Sequence, residues 1–235
     1  MSTINDDIFY KMDDVLPLNK TWEIWSAEWW KWLLAISDNI NPVHDTTGEL
    51  QSVGQPHPDV MLLAGTHSKS AERTVDIPEG RAIFFPVMTM SASESEFANL
   101  HTENDLRNYA IQGDQIDDMQ VTFEGQPRNG PSIDKITLDR AFLEKYEVTS
   151  PLFEVILPQN NIHLYAVAGR TRVVSHGYWV FIKALKLGEY TLTIRQSTKD
   201  DLATLTLNCS YDITYHLSIQ PKDVTLLPSK SSDVR

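Results

Sequence analysis

The middle of the chain, residues 60–90, alternates between short apolar runs and polar turns. Val60–Ala64 and Ala82–Met90 are apolar runs, and Arg73–Ile77 alternates polar with β-branched residues. A Pro-Glu-Gly turn at 78–80 separates the last two. Apolar or alternating runs bounded by Gly and Pro are typical of strands buried on at least one face. The pattern predicts three strands that form the nucleus of a sheet, on which the other segments pack.

Two stretches show helical spacing instead. Thr21–Ile36 places bulky apolar side chains three and four positions apart, and Thr21 suits an N-cap. This predicts an amphipathic helix that closes one end of the sheet, with Trp30 on the opposite face, where it could stack on a ligand. Thr102 and Asp105 resemble a capping box and predict a short helix over about 103–112.

Further apolar or alternating segments predict strands at 120–123, 152–157, 177–185, 190–194 and 211–219. The last three are expected to form an antiparallel meander with one wet face each. Residues 134–146 are compatible with both a strand and a helix. The pattern predicts a mainly β protein, an antiparallel β-sandwich of the jelly-roll type with one Trp-rich N-terminal helix and one short internal helix.

The same pattern predicts how the chain is divided. Residues 1–20 form a polar N-terminal segment, 21–219 a single sandwich domain and 220–235 a polar C-terminal tail. We find no internal repeat and no linker between domains.

Charge and composition limit the classes of binding partner and the cellular compartment that are expected. The chain has 235 residues and a formal net charge of −12 at pH 7. It would repel nucleic acid and anionic membrane surfaces, so neither is expected as a partner. An acidic N-terminus and the lack of a long apolar run predict a cytoplasmic protein without a membrane span. The single cysteine, Cys209, is expected to be a small half-buried side chain rather than a nucleophile.

The sequence lacks the short motifs that mark nucleotide-binding loops, zinc proteases and α/β-hydrolases. No cofactor is therefore predicted. The histidine spacings match no standard metal-ligand pattern, and we predict no metal site. The acidic pair Glu94 and Glu96 is interpreted as part of a solvated face rather than as a Ca²⁺ site.

Histidine and aspartate are concentrated in the loops that flank the first core strand. His44 and Asp45 lie in the long loop 41–58, His57 ends it, and His67 follows the strand. Histidine exchanges a proton near neutral pH, and a neighbouring carboxylate can fix its tautomer. These four residues are the candidate acid–base groups. The alternative is that they are polar loop residues, with Asp45 closing a local turn.

Arginines and aromatic residues are the candidate substrate-binding groups. Arg73 follows the same loops, and it could either clamp a substrate carboxylate or make a structural ion pair. The second group could hold an anionic or planar ligand, or form a charged sheet edge. Its members are Arg170, Arg172, His176, Tyr178 and Trp179.

The chain resembles a family of uncharacterised bacterial and archaeal proteins. That family combines a Trp-rich opening helix with the motifs NPxxDxTG, Gly-Gln, LAG, an arginine and PxGxxxFFP. The matching residues here are Trp25, Trp29, Trp30, Asn41, Pro42, Asp45, Thr47, Gly48, Gly54, Gln55, Leu63, Ala64, Gly65, Arg73, Pro78, Gly80, Phe84, Phe85 and Pro86. The resemblance covers residues 22–90 well and 177–219 loosely, and it implies a shared folding unit without an activity.

Three hypotheses follow. The first is a cofactor-independent enzyme that acts on a small organic substrate by His/Asp acid–base chemistry in loops at one end of the sandwich. The second is a non-catalytic module that binds a glycan or another small ligand by stacking on Trp and Tyr rings. The third is an assembly protein whose sheet edges associate. The oligomeric state is left open.

Overall fold

The computed structural model describes residues 7–113, 116–163, 165–199 and 210–222. The fold is mainly β, with a Trp-rich N-terminal helix. The helices are α1 (Trp22–Ala35), α2 (Glu103–Gln112) and α3 (Arg140–Leu143). The strands are β1 (Val60–Leu62), β2 (Ser70–Pro78), β3 (Ala82–Ser93), β4 (Ile116–Pro127), β5 (Ile133–Leu138), β6 (Glu147–Thr149), β7 (Phe153–Leu157), β8 (Gly169–Ile182), β9 (Gly188–Thr198) and β10 (Ser210–Gln220).

The strands form two mixed sheets. The first has the order β1-β3-β8-β6, with β7 also paired to β8, and the second has the order β2-β10-β9-β4-β5. The pairs β1–β3 and β2–β10 are parallel, so the prediction of purely antiparallel sheets is wrong at these two places. Parallel neighbours need a crossover. Between β1 and β3 the chain crosses to the second sheet as β2 and returns.

The three strands of the predicted nucleus therefore do not share one sheet. Alternate residues of β2 are buried along its whole length, whereas all three residues of β1 are buried. β2 lies at the edge of the second sheet, next to β10, and one of its two faces is exposed to solvent. The predicted meander is corrected in the same way. β9 and β10 are antiparallel neighbours, but β8 belongs to the first sheet.

Successive residues of β3 and β8 point into two different cores. Phe85 and Val180 belong to a cluster with side chains from both sheets, whereas Phe84 and Trp179 belong to a cluster with α1. Phe84 and Trp179 stack with their ring centroids 5.0 Å apart. Burial on both faces explains why these strands are almost continuously apolar.

Helix α1 begins where the sequence predicts, with the Thr21 hydroxyl accepting from the Ile24 N–H. It keeps an exposed or half-exposed stripe of Ile24, Glu28, Lys31 and Ala35, as expected for an amphipathic helix, but its buried surface is wider than predicted and includes Trp30. The first sheet covers one side, and the long loop covers another through a bond from the Trp32 indole N–H to the Val53 carbonyl (2.9 Å). Trp30 is only 8% exposed and donates to the Thr89 hydroxyl (3.0 Å).

The predictions for the short internal helix and for the two ends of the chain can also be compared with the structure. The capping box of Thr102 and Asp105 at α2 is confirmed. Phe9 and Leu16, from the predicted polar N-terminal segment, are buried in the two cores. Cys209 and most of the predicted C-terminal tail lie outside the described residues. Within the described ranges, no helix is long and apolar enough to cross a membrane.

Candidate functional site

Asp45 closes its own turn instead of orienting a histidine. Its carboxylate accepts from the N–H groups of Thr47 (2.8 Å), Gly48 (3.0 Å) and Leu50 (2.9 Å). Burial alone would raise the pKa of this carboxyl, but these hydrogen bonds outweigh it and lower the pKa. Gly48 has φ of 102°, and a Cβ there would lie 2.2 Å from the Thr74 carbonyl oxygen. The DxTG sequence is thus a structural turn.

Arg73 is fully buried, and every N–H of its guanidinium group donates a hydrogen bond. A guanidinium carries five N–H donors. The acceptors are the carbonyls of Asp45 (2.8 Å), Ala64 (2.8 Å), Gly65 (3.0 Å) and Pro42 (3.2 Å), and the hydroxyl of Tyr215. With no donor left, Arg73 cannot clamp a substrate carboxylate without giving up a contact of the fold, and no carboxylate pairs with it among the described residues.

Three amide side chains complete these connections. Asn41 donates to the carbonyl of Leu33 (2.8 Å) at the end of α1. Gln51 accepts from the N–H of Ala64 (3.1 Å). Gln55 bonds both the N–H (2.9 Å) and the carbonyl (2.8 Å) of Leu62, and so takes the place of a neighbouring strand at the edge of β1. We call Asn41, Asp45, Gln51, Gln55, Arg73 and Tyr215 the Arg73 network.

Beyond Gly65 the chain enters a different environment, a cavity of about 130 Å³. Most of the lining is apolar and comes from α1, β3, β9, β10 and the loops at 43, 65–67 and 162–163. The lining residues are Trp29, Trp30, Leu33, Val43, Gly65, Thr66, His67, Pro86, Val87, Met88, Thr89, Ile162, His163, Ile194, Gln196, Tyr211 and Ile213. We call it the histidine cavity.

His67 stands at this cavity beside His44. The two rings meet edge to face with centroids 5.1 Å apart, and Nε2 of His44 lies 2.6 Å from Oδ1 of Asp38. Burial lowers the pKa of His67, and His44 and His163 lower it further, whereas Asp38 acts in the opposite direction. A lowered pKa leaves the exposed His67 ring neutral at pH 7, so that it can accept a proton.

His163 is the other histidine of the cavity, and the sequence analysis missed it. Its Nδ1 lies 3.3 Å from Oε1 of Glu96, and its backbone N–H donates to the side chain of Asn161 (3.0 Å). Its Nε2 is buried and has no hydrogen-bond partner among the described residues, as is also true of Oε1 of Gln196. The carboxylate beside it, Glu96, was interpreted from the sequence as part of a solvated face, so no sequence signal connected Glu96 with His163.

The two histidine-bearing loops are tied to each other. The N–H of Asp38 donates to the carbonyl of Asn160 (2.8 Å), and the N–H of His67 donates to the carbonyl of Val43 (3.2 Å). These bonds hold the pair of His44 and His67 next to the loop of His163.

His57 is not part of this group. Its Nε2 lies 3.2 Å from Oε2 of Glu28 on α1, and its ring meets Trp25 edge to face at 5.1 Å. Of the four candidate acid–base residues, the structure brings together the rings of His44 and His67. Within the described ranges, no group of three or more His, Cys, Asp or Glu is placed to hold a metal ion.

The second predicted group is divided among sheet contacts. Arg170 pairs with Glu154 (2.7 Å), and Arg172 pairs with Glu94. Nδ1 of the buried His176 lies 2.9 Å from the hydroxyl of Thr149. Tyr178 and Trp179 are buried in the two cores. Of the predicted substrate-binding residues, only Trp30 lines the histidine cavity.

No protein-family model matches the sequence, and no curated protein matches it significantly. Among solved structures, the chain is similar to one described as "Structure of PbICP-C in complex with falcipain-2". The two share 10% identity over 69% of this chain and 99% of that chain, with a TM-score of 0.24. So low a TM-score carries no argument about fold or function, and the family resemblance stays a prediction.

Proposed function

We propose that the protein is a cofactor-independent enzyme that binds a small organic molecule in the histidine cavity and moves protons through His67 and His163. The observation that carries this is the presence of two histidines at one mainly apolar cavity, His67 beside the ring of His44 and His163 beside the carboxylate of Glu96. Apolar pockets with a few convergent polar groups are the usual form of a small-molecule site. The site would lie at one end of a sandwich, an arrangement supported by the core that both sheets share.

The unpaired polar atoms at the cavity wall support a ligand. Buried polar groups are nearly always hydrogen-bonded, so Nε2 of His163 and Oε1 of Gln196 call for partners. Neither atom is exposed to solvent. A ligand that pairs with them must therefore displace a side chain of the wall, and binding is expected to rearrange it.

Cavity size limits the ligand. A cavity of roughly 150 Å³ accommodates benzene, and the histidine cavity measures about 130 Å³. A molecule with a single ring is the size expected to fit.

The alternative function is a binding module without turnover, for a glycan or another small ligand. It would use the same cavity, with Trp30 as part of the wall. All six tryptophans are less than 9% exposed, so a stacking platform on the surface has no Trp ring to use. The substitution His67→Gln separates the two functions. In an enzyme it should abolish turnover and leave binding almost unchanged, whereas a binding module has no turnover to lose.

Side-chain NMR tests the site. We expect phenol and cyclohexanone at millimolar concentration to shift the indole signal of Trp30 and the ring signals of His67, but not those of His57. Gly65 offers a way to block the cavity, because an added Cβ there meets no atom within 4 Å. Gly65→Leu should therefore fold normally and lose the response. If neither compound shifts Trp30 or His67, or if Gly65→Leu responds like the wild type, the site is wrong.

A further inference from the structure

The chemistry of the cavity wall points away from covalent catalysis. Among the described residues that line the cavity there is no Ser or Cys, and the hydroxyl groups belong to Thr66, Thr89 and Tyr211. The Thr89 hydroxyl already accepts from Trp30 and donates to the carbonyl of His176 (2.9 Å). The Thr66 hydroxyl oxygen accepts from the N–H of Ser68 (3.0 Å). An activated nucleophile needs an available hydroxyl or thiol beside a base, and neither threonine offers one. Proton transfer by the two histidines is the chemistry that the described lining favours.

The two histidines have different surroundings, which suits them to different roles. The ring of His67 is exposed at the cavity and has no carboxylate within ion-pair distance among the described residues. Nδ1 of His163 lies 3.3 Å from Oε1 of Glu96, so this ring has beside it a carboxylate that the ring of His67 lacks. Paired groups whose environments differ are the usual acid and base of a proton-transfer site.

The lining also limits the charge of the substrate. The part of the lining that the structure describes contains no Lys or Arg, and the chain carries a net charge of −12. A carboxylate or phosphate would find no fixed cation here and would be repelled from a distance. An uncharged molecule is favoured.

We infer that the histidine cavity takes a small uncharged carbonyl compound, and that His67 removes a proton from the carbon next to the carbonyl while His163 donates a hydrogen bond to the carbonyl oxygen. The C–H bond breaks as its proton moves to His67, its electron pair forms the C=C bond of an enolate, and the C=O π electrons move to the oxygen, whose negative charge the hydrogen bond from His163 stabilises. The proton carried by His67 then returns to carbon. No oxidant or reductant is needed. This inference rests on the proposed function and adds the substrate class and the reaction to it.

Hydrogen exchange with solvent tests this step. Cyclohexanone, which is uncharged and has acidic hydrogens next to its carbonyl, is incubated with the protein in D₂O, and the loss of those signals is followed by NMR. We expect exchange faster than in an equal concentration of free imidazole. His67→Gln should reduce the rate by about 100-fold or more, as loss of a general base does. His163→Gln should reduce it by about 100-fold, as loss of an oxyanion donor does.

His57→Gln is the matched control, because His57 is also paired with a carboxylate but does not line the cavity. It should exchange cyclohexanone at the wild-type rate. Binding of cyclohexanone without accelerated exchange would overturn the reaction while leaving the proposed site in place. Accelerated exchange that survives in His67→Gln would overturn the role of His67. Absence of binding would contradict the proposed function itself.

Discussion

The Arg73 network and the histidine cavity meet at Gly65, and they differ in how completely their polar atoms are hydrogen-bonded. In the Arg73 network each guanidinium N–H has an acceptor, and the side chains of Gln51 and Gln55 replace missing backbone partners. In the histidine cavity, Nε2 of His163 and Oε1 of Gln196 have no partner among the described residues. Fully paired polar groups stabilise a fold, whereas buried unpaired ones cost stability, and a ligand could pair with them only after the wall rearranges.

The comparison teaches that the most conspicuous motif need not be the site. The residues of the NPxxDxTG, Gly-Gln and LAG motifs lie in the Arg73 network or beside it. They fix the loop that carries His44 and the segment that carries His67. In the proposed function these residues would position the two histidines.

The largest expected effect is at Arg73. Arg73→Met should lower the free energy of unfolding by about 3–5 kcal/mol, because several buried carbonyls lose their donor at about 1–3 kcal/mol each. Urea denaturation at pH 7 measures this. Arg170→Met is the control, since Arg170 is 67% exposed and its ion pair should contribute less than about 1 kcal/mol. Equal losses in the two variants would contradict the structural role of Arg73.

Ionisation of Tyr215 should make the free energy of unfolding depend on pH in the alkaline range. Burial raises the pKa of its hydroxyl to about 12, although Arg73 acts in the opposite direction. In the unfolded chain tyrosine ionises near pH ~10. Above that pH the unfolded state loses a proton that the folded state keeps, so stability falls as pH rises.

The contribution of Tyr215 should be complete below pH ~10, and roughly 2–3 kcal/mol of it should be lost by pH ~12. Tyr215→Phe should lack this part of the pH dependence. We would measure the unfolding free energies of both proteins from pH 9 to 12. A constant difference between them would show that Tyr215 ionises normally in the fold.

A smaller effect is expected at the sheet edge. Gln55→Leu leaves the N–H and carbonyl of Leu62 without their side-chain partners and should cost about 1–3 kcal/mol. The Leu62 amide should also exchange with solvent faster. Gln126→Leu is the control, because the exposed Gln126 bonds only the Ser132 hydroxyl. If Leu62 exchange is unchanged, Gln55 does not protect the edge.

Local patterns predicted most elements of the fold, but not how they combine. The helix of Thr21–Ile36 and the strand at 211–219 follow from spacing that is visible within the segments themselves. The parallel pairing of β2 with β10 joins residues such as Ser70 and Asp212, and nothing near either residue specifies that partner. The burial of Trp32 on α1 likewise depends on the long loop, whose Val53 carbonyl accepts from its indole N–H.

The candidate site was predicted only in part for the same reason. His44 and His67 were recognised as candidates because they lie close in the sequence to one strand. His163 lies in a loop without a recognisable motif, and it reaches the cavity only because Asp38 bonds Asn160. Asp45 and Arg73 were plausible chemical groups from their residue types, and only their hydrogen-bond partners show that they are structural.

The most direct test of the contrast is the free energy of unfolding of Gln196→Met without ligand. Methionine has nearly the shape of glutamine and removes the unpaired amide oxygen, so the account predicts a gain of about 1 kcal/mol. The same variant should bind cyclohexanone more weakly. A loss of stability as large as that of Gln55→Leu would contradict the account, because it would show that Gln196 serves the fold in the way the Arg73 network does.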